Sequence, residues 1–146
     1  MITTNDIKSI LLNEVKSNFS FSGIIVTKDV HAPVTEENNF ERIVIVLPGG
    51  TSNGVLSVSL PRICFYVPDI LDTGINGAYY RPNTGRLSEL EQFCINSYKC
   101  GKSGAYNGWT FYYSIENITQ DPDPETWSHF INMQLIFKVV SKNEVK

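Results

Sequence analysis

The sequence predicts an α+β fold: a largely antiparallel sheet of about five strands, two helices packed on one face, and a long closing β-hairpin. Three observations predict it. Apolar residues recur at spacings of three and four in segments 4–17 and 85–99, the period of a half-buried helix. They alternate with polar ones in 109–116 and 127–139, the period of a half-buried strand. Between the two helical segments stand runs of β-branched and aromatic residues, separated by clusters of Gly, Pro, Asn and Asp.

The first helix starts at Thr4 or Asn5, whose side chains can accept a bond from an orphan backbone N–H. Ile7, Ile10, Leu11 and Val15 share its apolar face; Asp6 in the first turn and Lys16 in the last suit the helix dipole. Residues 23–28 read as a short strand, 29–41 as a polar connection, and 42–47 as a central strand whose unbroken apolar run is buried on both faces. Residues 48–54, from Pro48 to Gly54, form a turn.

Residues 55–67 resume as strand. The apolar parity changes at Pro61, from Val58 and Leu60 to Ile63, Phe65 and Val67. A bulge or break there would bring both sets to one side. Residues 69–83 read as a long Gly/Asp/Asn-rich loop, a length that is usually functional or disordered. Thr84 caps the second helix, Leu87, Leu90, Phe93, Cys94 and Tyr98 share its inner face, and Gly101 stops it. Trp109, Phe111, Tyr113 and Ile115 alternate on one strand. Trp127, His129, Ile131, Met133, Leu135, Phe137 and Val139 alternate on the next, and the acidic connection 120–125 joins the two.

The chain has 146 residues, read as one domain over 1–146, and should bury roughly 68–70% of its unfolded surface. Its net charge of −3 argues against a broad nucleic-acid footprint. No apolar run reaches the length of a membrane-spanning helix, and the first residues lack the basic and apolar regions of a signal peptide. The three cysteines, Cys64, Cys94 and Cys100, suit a reducing compartment, with two thiols buried and one in a loop. They form no metal-binding spacing, so a metal site would require the fold to gather Cys and His from distant segments; no cofactor is expected.

Other motifs dissolve on inspection. Cys100-Gly101-Lys102-Ser103 ends like a P-loop, but Asn96 stands where the first glycine belongs, and a helix precedes it instead of a strand. Asp121, Asp123 and Glu125 resemble the start of a calcium loop, yet two prolines and a missing glycine make them an acidic hairpin tip. Asp69 and Asp72 have no placed acid–base partner, His31 lies in a polar loop, and His129 falls on the apolar parity as a core or edge histidine bonded to a neighbour.

In element order and length the chain resembles the tail-terminator proteins of long-tailed phages over about residues 4–140. Those residues hold an amphipathic first helix, central strands, a strand ending in RICFYVPD, a long excursion, a second helix and a hairpin ending in MQLIFKVV. The resemblance implies a non-enzymatic virion protein, present in the host cytoplasm during assembly and then at the tail end or neck. It implies a homo-oligomeric ring of six subunits or a multiple, which ends the tail tube and meets the head connector or portal. Charge and the lack of a long apolar run add the expectation of no membrane and no sequence-specific nucleic acid as partners. A ring subunit contacts its neighbours through side surfaces and loops. The excursions 29–41, 48–54, 69–83 and 120–126 are then the contact elements, with Glu36, Glu37, Tyr79, Tyr80, Arg81, Asp121, Asp123 and Glu125 as candidates. Two other readings compete. One is a bacterial α+β module that binds a ligand or protein. The other is a small enzyme, which would need Cys94, Cys100, His31 or His129 to converge with a carboxylate.

Overall fold

The structure is a computed structural model that describes residues 2–18, 25–27, 41–47 and 57–140. The fold is α+β. Helix α1 spans Thr4–Asn18, followed by strands β1 (Ile25–Thr27), β2 (Arg42–Val46), β3 (Ser57–Ser59) and β4 (Arg62–Pro68). Strands β5 (Ile70–Gly74) and β6 (Gly77–Arg81) precede helix α2 (Thr84–Tyr98). Strands β7 (Lys102–Tyr106), β8 (Trp109–Asp123) and β9 (Ser128–Val140) complete the order.

The main sheet runs β1-β2-β4-β9-β8-β7, with β3 also bonded to β9. Only the β1–β2 pair is parallel; the other pairs of the sheet are antiparallel. This makes seven strands where five were expected. The surplus arises from β7 and from the division of 55–67 into two segments.

One core lies between the helices and the sheet. Leu11 and Val15 of α1 and Leu87, Leu90, Cys94 and Tyr98 of α2 meet Ile43, Ile63, Phe65, Met133, Leu135 and Phe137. Ile10 and Phe93 are only partly buried at its margin. The opposite face carries a smaller cluster of Val44, Cys64 and Tyr66 with Val46 and Phe130 against it. Strand β2 is therefore buried on both faces, as its apolar run requires.

Helix α1 starts at Thr4 as expected and α2 one residue earlier than expected, and both caps lie before the residues the sequence suggested. Thr3 caps α1: its amide donates to Asp6 Oδ2 at 2.8 Å, and the Asp6 amide donates back to Thr3 Oγ1 at 3.2 Å. This reciprocal pair satisfies two orphan donors at once. Asn83, rather than Thr84, caps α2 by accepting from the Arg86 amide at 3.3 Å. At the far end, Gly101 has φ +73° and its N–H donates to the Tyr98 carbonyl, so the expected stop is where the helix ends.

Pro61 interrupts the edge without a bulge. Ser59 pairs Phe137 and Arg62 pairs Gln134, so β3 and β4 hold the same register against β9. Pro61 has no N–H to donate, yet its carbonyl still accepts from Leu135 at 2.9 Å. Val58 and Leu60 accordingly stay on the face opposite Ile63, where they are exposed, and do not join it as expected.

A true bulge lies elsewhere. Ile115 pairs Leu135 and Asn117 pairs Gln134, leaving Glu116 as the extra residue. Beyond it the parity of β8 reverses, and Ile118 reaches the core opposite Met133. The strand then continues to Asp123, so most of the expected connection 120–125 is ladder. Only the 3-10 turn Pro124–Thr126 and Trp127, with φ 48°, close the hairpin.

Candidate functional site

Residues 69–83 form an arm instead of a loop. β5 and β6 pair with each other alone, from Ile70↔Arg81 to Gly74↔Gly77, in a separate two-stranded sheet. Such a ribbon is marginal on its own, because it has no apolar face to bury. Here Leu71, Ile75, Tyr79 and Tyr80 are exposed, Ile75 completely. Across the ribbon, Arg81 Nε meets Asp72 Oδ2 at 2.8 Å and the Tyr79 hydroxyl lies 3.4 Å from the same oxygen.

Three contacts tether the arm to the tip of the β8–β9 hairpin. Tyr80 stacks on Trp127, with centroids 5.2 Å apart and planes 9° apart. The Asp69 amide donates to the Trp127 carbonyl at 2.9 Å. His129 Nδ1 lies 2.6 Å from Asp69 Oδ1, which is the neighbour bond expected of that histidine. Trp127 itself was expected in the core through its parity. Its left-handed backbone turns it out of the strand alternation, and it is exposed beside Tyr80.

The candidate contacts therefore divide. Tyr79, Tyr80 and Arg81 lie on the arm, and Glu125 lies in the adjoining 3-10 turn. Asp121 and Asp123 sit within β8 and not in the turn, because pairing with β9 continues to Asp123↔Ser128. Asp121 pairs Phe130 in register and accepts from the Thr119 hydroxyl at 2.8 Å. On the same outer face Tyr66 stacks on Phe130 at 4.7 Å, and the Arg42 guanidinium lies 4.9 Å from the Tyr66 ring centre. Burial pushes the Tyr66 phenol up to about 12. It also pulls the Arg42 guanidinium below its usual value, against the pull of Tyr66 and Asp123. Glu36, Glu37, His31 and the turn 48–54 lie outside the described residues.

Acidic groups thus gather at the arm end: Asp69, Asp72, Asp121, Asp123 and Glu125, with Arg42, Arg81 and His129 among them. Lysines stand toward the opposite end of β9. Lys138 stands on β9, Lys102 on β7, and Lys99 just after α2. Lys102 Nζ also reaches Glu14 Oε1 at 2.8 Å, joining β7 to α1. Gly101 follows a helix and Lys102 and Ser103 lie in a ladder, the reverse of a phosphate loop.

The thiols follow the expected division, with Cys64 and Cys94 buried and Cys100 exposed. Burial pushes the Cys64 and Cys94 thiols up to about 12, so both are protonated and weak nucleophiles at neutral pH. Among the described residues, no group of three His, Cys, Asp or Glu side chains is placed to hold a metal ion.

Sequence reasoning missed β7. Its signal was present: Asn107-Gly108 is the strongest short hairpin dipeptide, and both residues have positive φ, 50° and 81°. Tyr106 pairs Trp109 directly across this turn.

Compared with protein-family models, with curated proteins and with solved structures, the chain matches none.

Proposed function

We propose that the protein is a non-enzymatic structural subunit of a phage virion. In this reading it forms an oligomeric ring at the tail end or neck, ends the tail tube there and joins it to the head connector. The observation that carries the reading is the β5–β6 arm. It is an ordered ribbon that leaves Leu71, Ile75 and Tyr79 in solvent, although folding normally buries such side chains. Exposed apolar residues on a ribbon that does not support the core suit assembly with another chain. The α+β element order, with two helices on one face and a long closing hairpin, agrees with the resemblance described above.

Immunogold electron microscopy of particles from producer cells tests the reading, together with mass spectrometry of proteins recovered with the tagged chain. The expected result is label at the neck or tail end, with tail and connector proteins in the eluate. Recovery of metabolic partners without particles overturns it.

A further inference from the structure

Two Asn-Gly pairs stand at hairpin turns among the described residues, Asn76-Gly77 at the tip of the arm and Asn107-Gly108 between β7 and β8. An Asn-Gly pair carries a reaction of its own. The glycine nitrogen can attack the side-chain carbonyl carbon of the asparagine, because no side chain shields that nitrogen and the two atoms are already held close by the chain. All four residues are exposed, so water reaches both pairs. The pairs differ in how firmly the backbone is held.

Asn107 and Gly108 both have positive φ, 50° and 81°, as a tight two-residue hairpin turn requires. Tyr106 and Trp109 pair across that turn, and both pack against the main core. Bringing the Gly108 nitrogen onto the Asn107 side chain would undo the turn and pull on both anchored rings.

The tip of the arm has no such anchor. The ladder ends at Gly74↔Gly77, and the Asp72–Arg81 ion pair and the Tyr80–Trp127 stack lie nearer the base. Ile75, next to Asn76, is completely exposed. Nothing stands within 4 Å of the place a Cβ on Gly77 would take, so its backbone is open to approach on that side. The end of a lone two-stranded ribbon opens at little cost.

We propose that Asn76 is a site of spontaneous deamidation in the folded protein and that the fold spares Asn107. The Gly77 nitrogen loses its proton to solvent and bonds to Asn76 Cγ. The Cγ–Nδ2 bond breaks and ammonia leaves, closing a five-membered imide. Water then opens the imide. Attack at Cγ gives aspartate, and attack at the backbone carbonyl carbon gives isoaspartate. Either product places a carboxylate beside Ile75, in a stretch from 73 to 80 that otherwise holds no charged residue. The proposal stands whether or not the chain assembles into a ring.

The test ages the folded full chain in mildly alkaline buffer made with oxygen-18 water, and a second sample in the same buffer with denaturing urea. Rapid digestion at acid pH and mass spectrometry quantify aspartate and isoaspartate at each Asn-Gly peptide. Asn53-Gly54, outside the described residues, is read separately. In the folded chain Asn76 should convert, with oxygen-18 taken up, at least roughly tenfold faster than Asn107, the ratio that a difference of about 1.4 kcal/mol in barrier gives. In urea the two rates should converge. No conversion at Asn76, or equal rates in the folded chain, overturns the site. A ratio that persists in urea overturns its assignment to the fold. Gly77→Ala, which shields the nitrogen at an exposed position, should slow conversion at Asn76 several-fold, and an unchanged rate overturns the imide route.

Discussion

The two hairpins that meet at Trp127 are built from the same antiparallel ladder and have opposite fates. The β8–β9 hairpin places Tyr113, Leu135 and Phe137 against two helices, and all three are essentially inaccessible. The β5–β6 hairpin places Leu71, Ile75 and Tyr79 in solvent. Backbone pairing is common to both, so it does not decide which one supports the fold. A buried face decides it, because removing apolar surface from water contributes more than a net backbone hydrogen bond.

The largest expected effect tests this contrast directly. Phe137→Ala should lower stability by about 3–5 kcal/mol through loss of burial and a residual cavity. Ile75→Ala on the arm should stay within about 0.5 kcal/mol. Urea unfolding of both variants gives the comparison, and a similar loss for each would mean that the arm does support the core.

Next comes Arg86→Ala. Arg86 binds both oxygens of Glu41 and also reaches Glu89, tying the start of α2 to the residue before β2. Hydrogen bonds between charged groups are worth about 1.5–3 kcal/mol. Arg86 and Glu41 are each 20% exposed, which places this loss at the low end of that range. Calorimetry of the variant checks it, and Ile75→Ala again supplies the contrast.

Trp127→Ala sharpens the comparison from the other side. It removes the Tyr80 stack, a contact worth about 0.5–1.5 kcal/mol beyond its burial. Amide exchange should accelerate in β5 and β6 and stay unchanged in the centre of β9. Equal acceleration in both would show that the hairpins open as one unit.

The smallest effect concerns pH and α1, which covers part of the core that the arm does not touch. Bonds from the Thr3 amide, and then from its hydroxyl, hold the Asp6 carboxyl below its ordinary value. A depressed carboxyl stabilises the fold above its unfolded value, and that contribution is lost as pH falls through the folded one. Asp6→Ala should therefore narrow the stability gap between neutral and strongly acidic solution. Urea midpoints of the two proteins measured across that range give the difference.

The regular parts of this fold were legible because their burial is one-sided and periodic. Leu87, Leu90, Cys94 and Tyr98 mark α2 at helical spacing, and Ile131 to Val139 mark β9 at every second residue. What was illegible has identifiable causes. The arm carries Asp, Gly and Asn with few β-branched residues, so its composition reads as loop although its ladder is complete. Glu116 hides the continuation of β8, since one extra residue reverses the parity on which the strand reading depends. Tyr79 and Tyr80 were picked out as candidate contacts from their place in an excursion. The stack of Tyr80 on Trp127 is a contact across 47 positions of chain, which no local pattern encodes.

Strand β9 has a consequence for the order in which the molecule is made. It is bonded to β3 and β4 along one side and to β8 along the other, so the two halves of the sheet meet only through it. It is also synthesised after every other described element. Until it emerges, β4 and β8 each present an unpaired edge, the condition in which strands find wrong partners. The nascent chain must hold two unfinished half-sheets apart, and β9, made after both, is the seam that closes them.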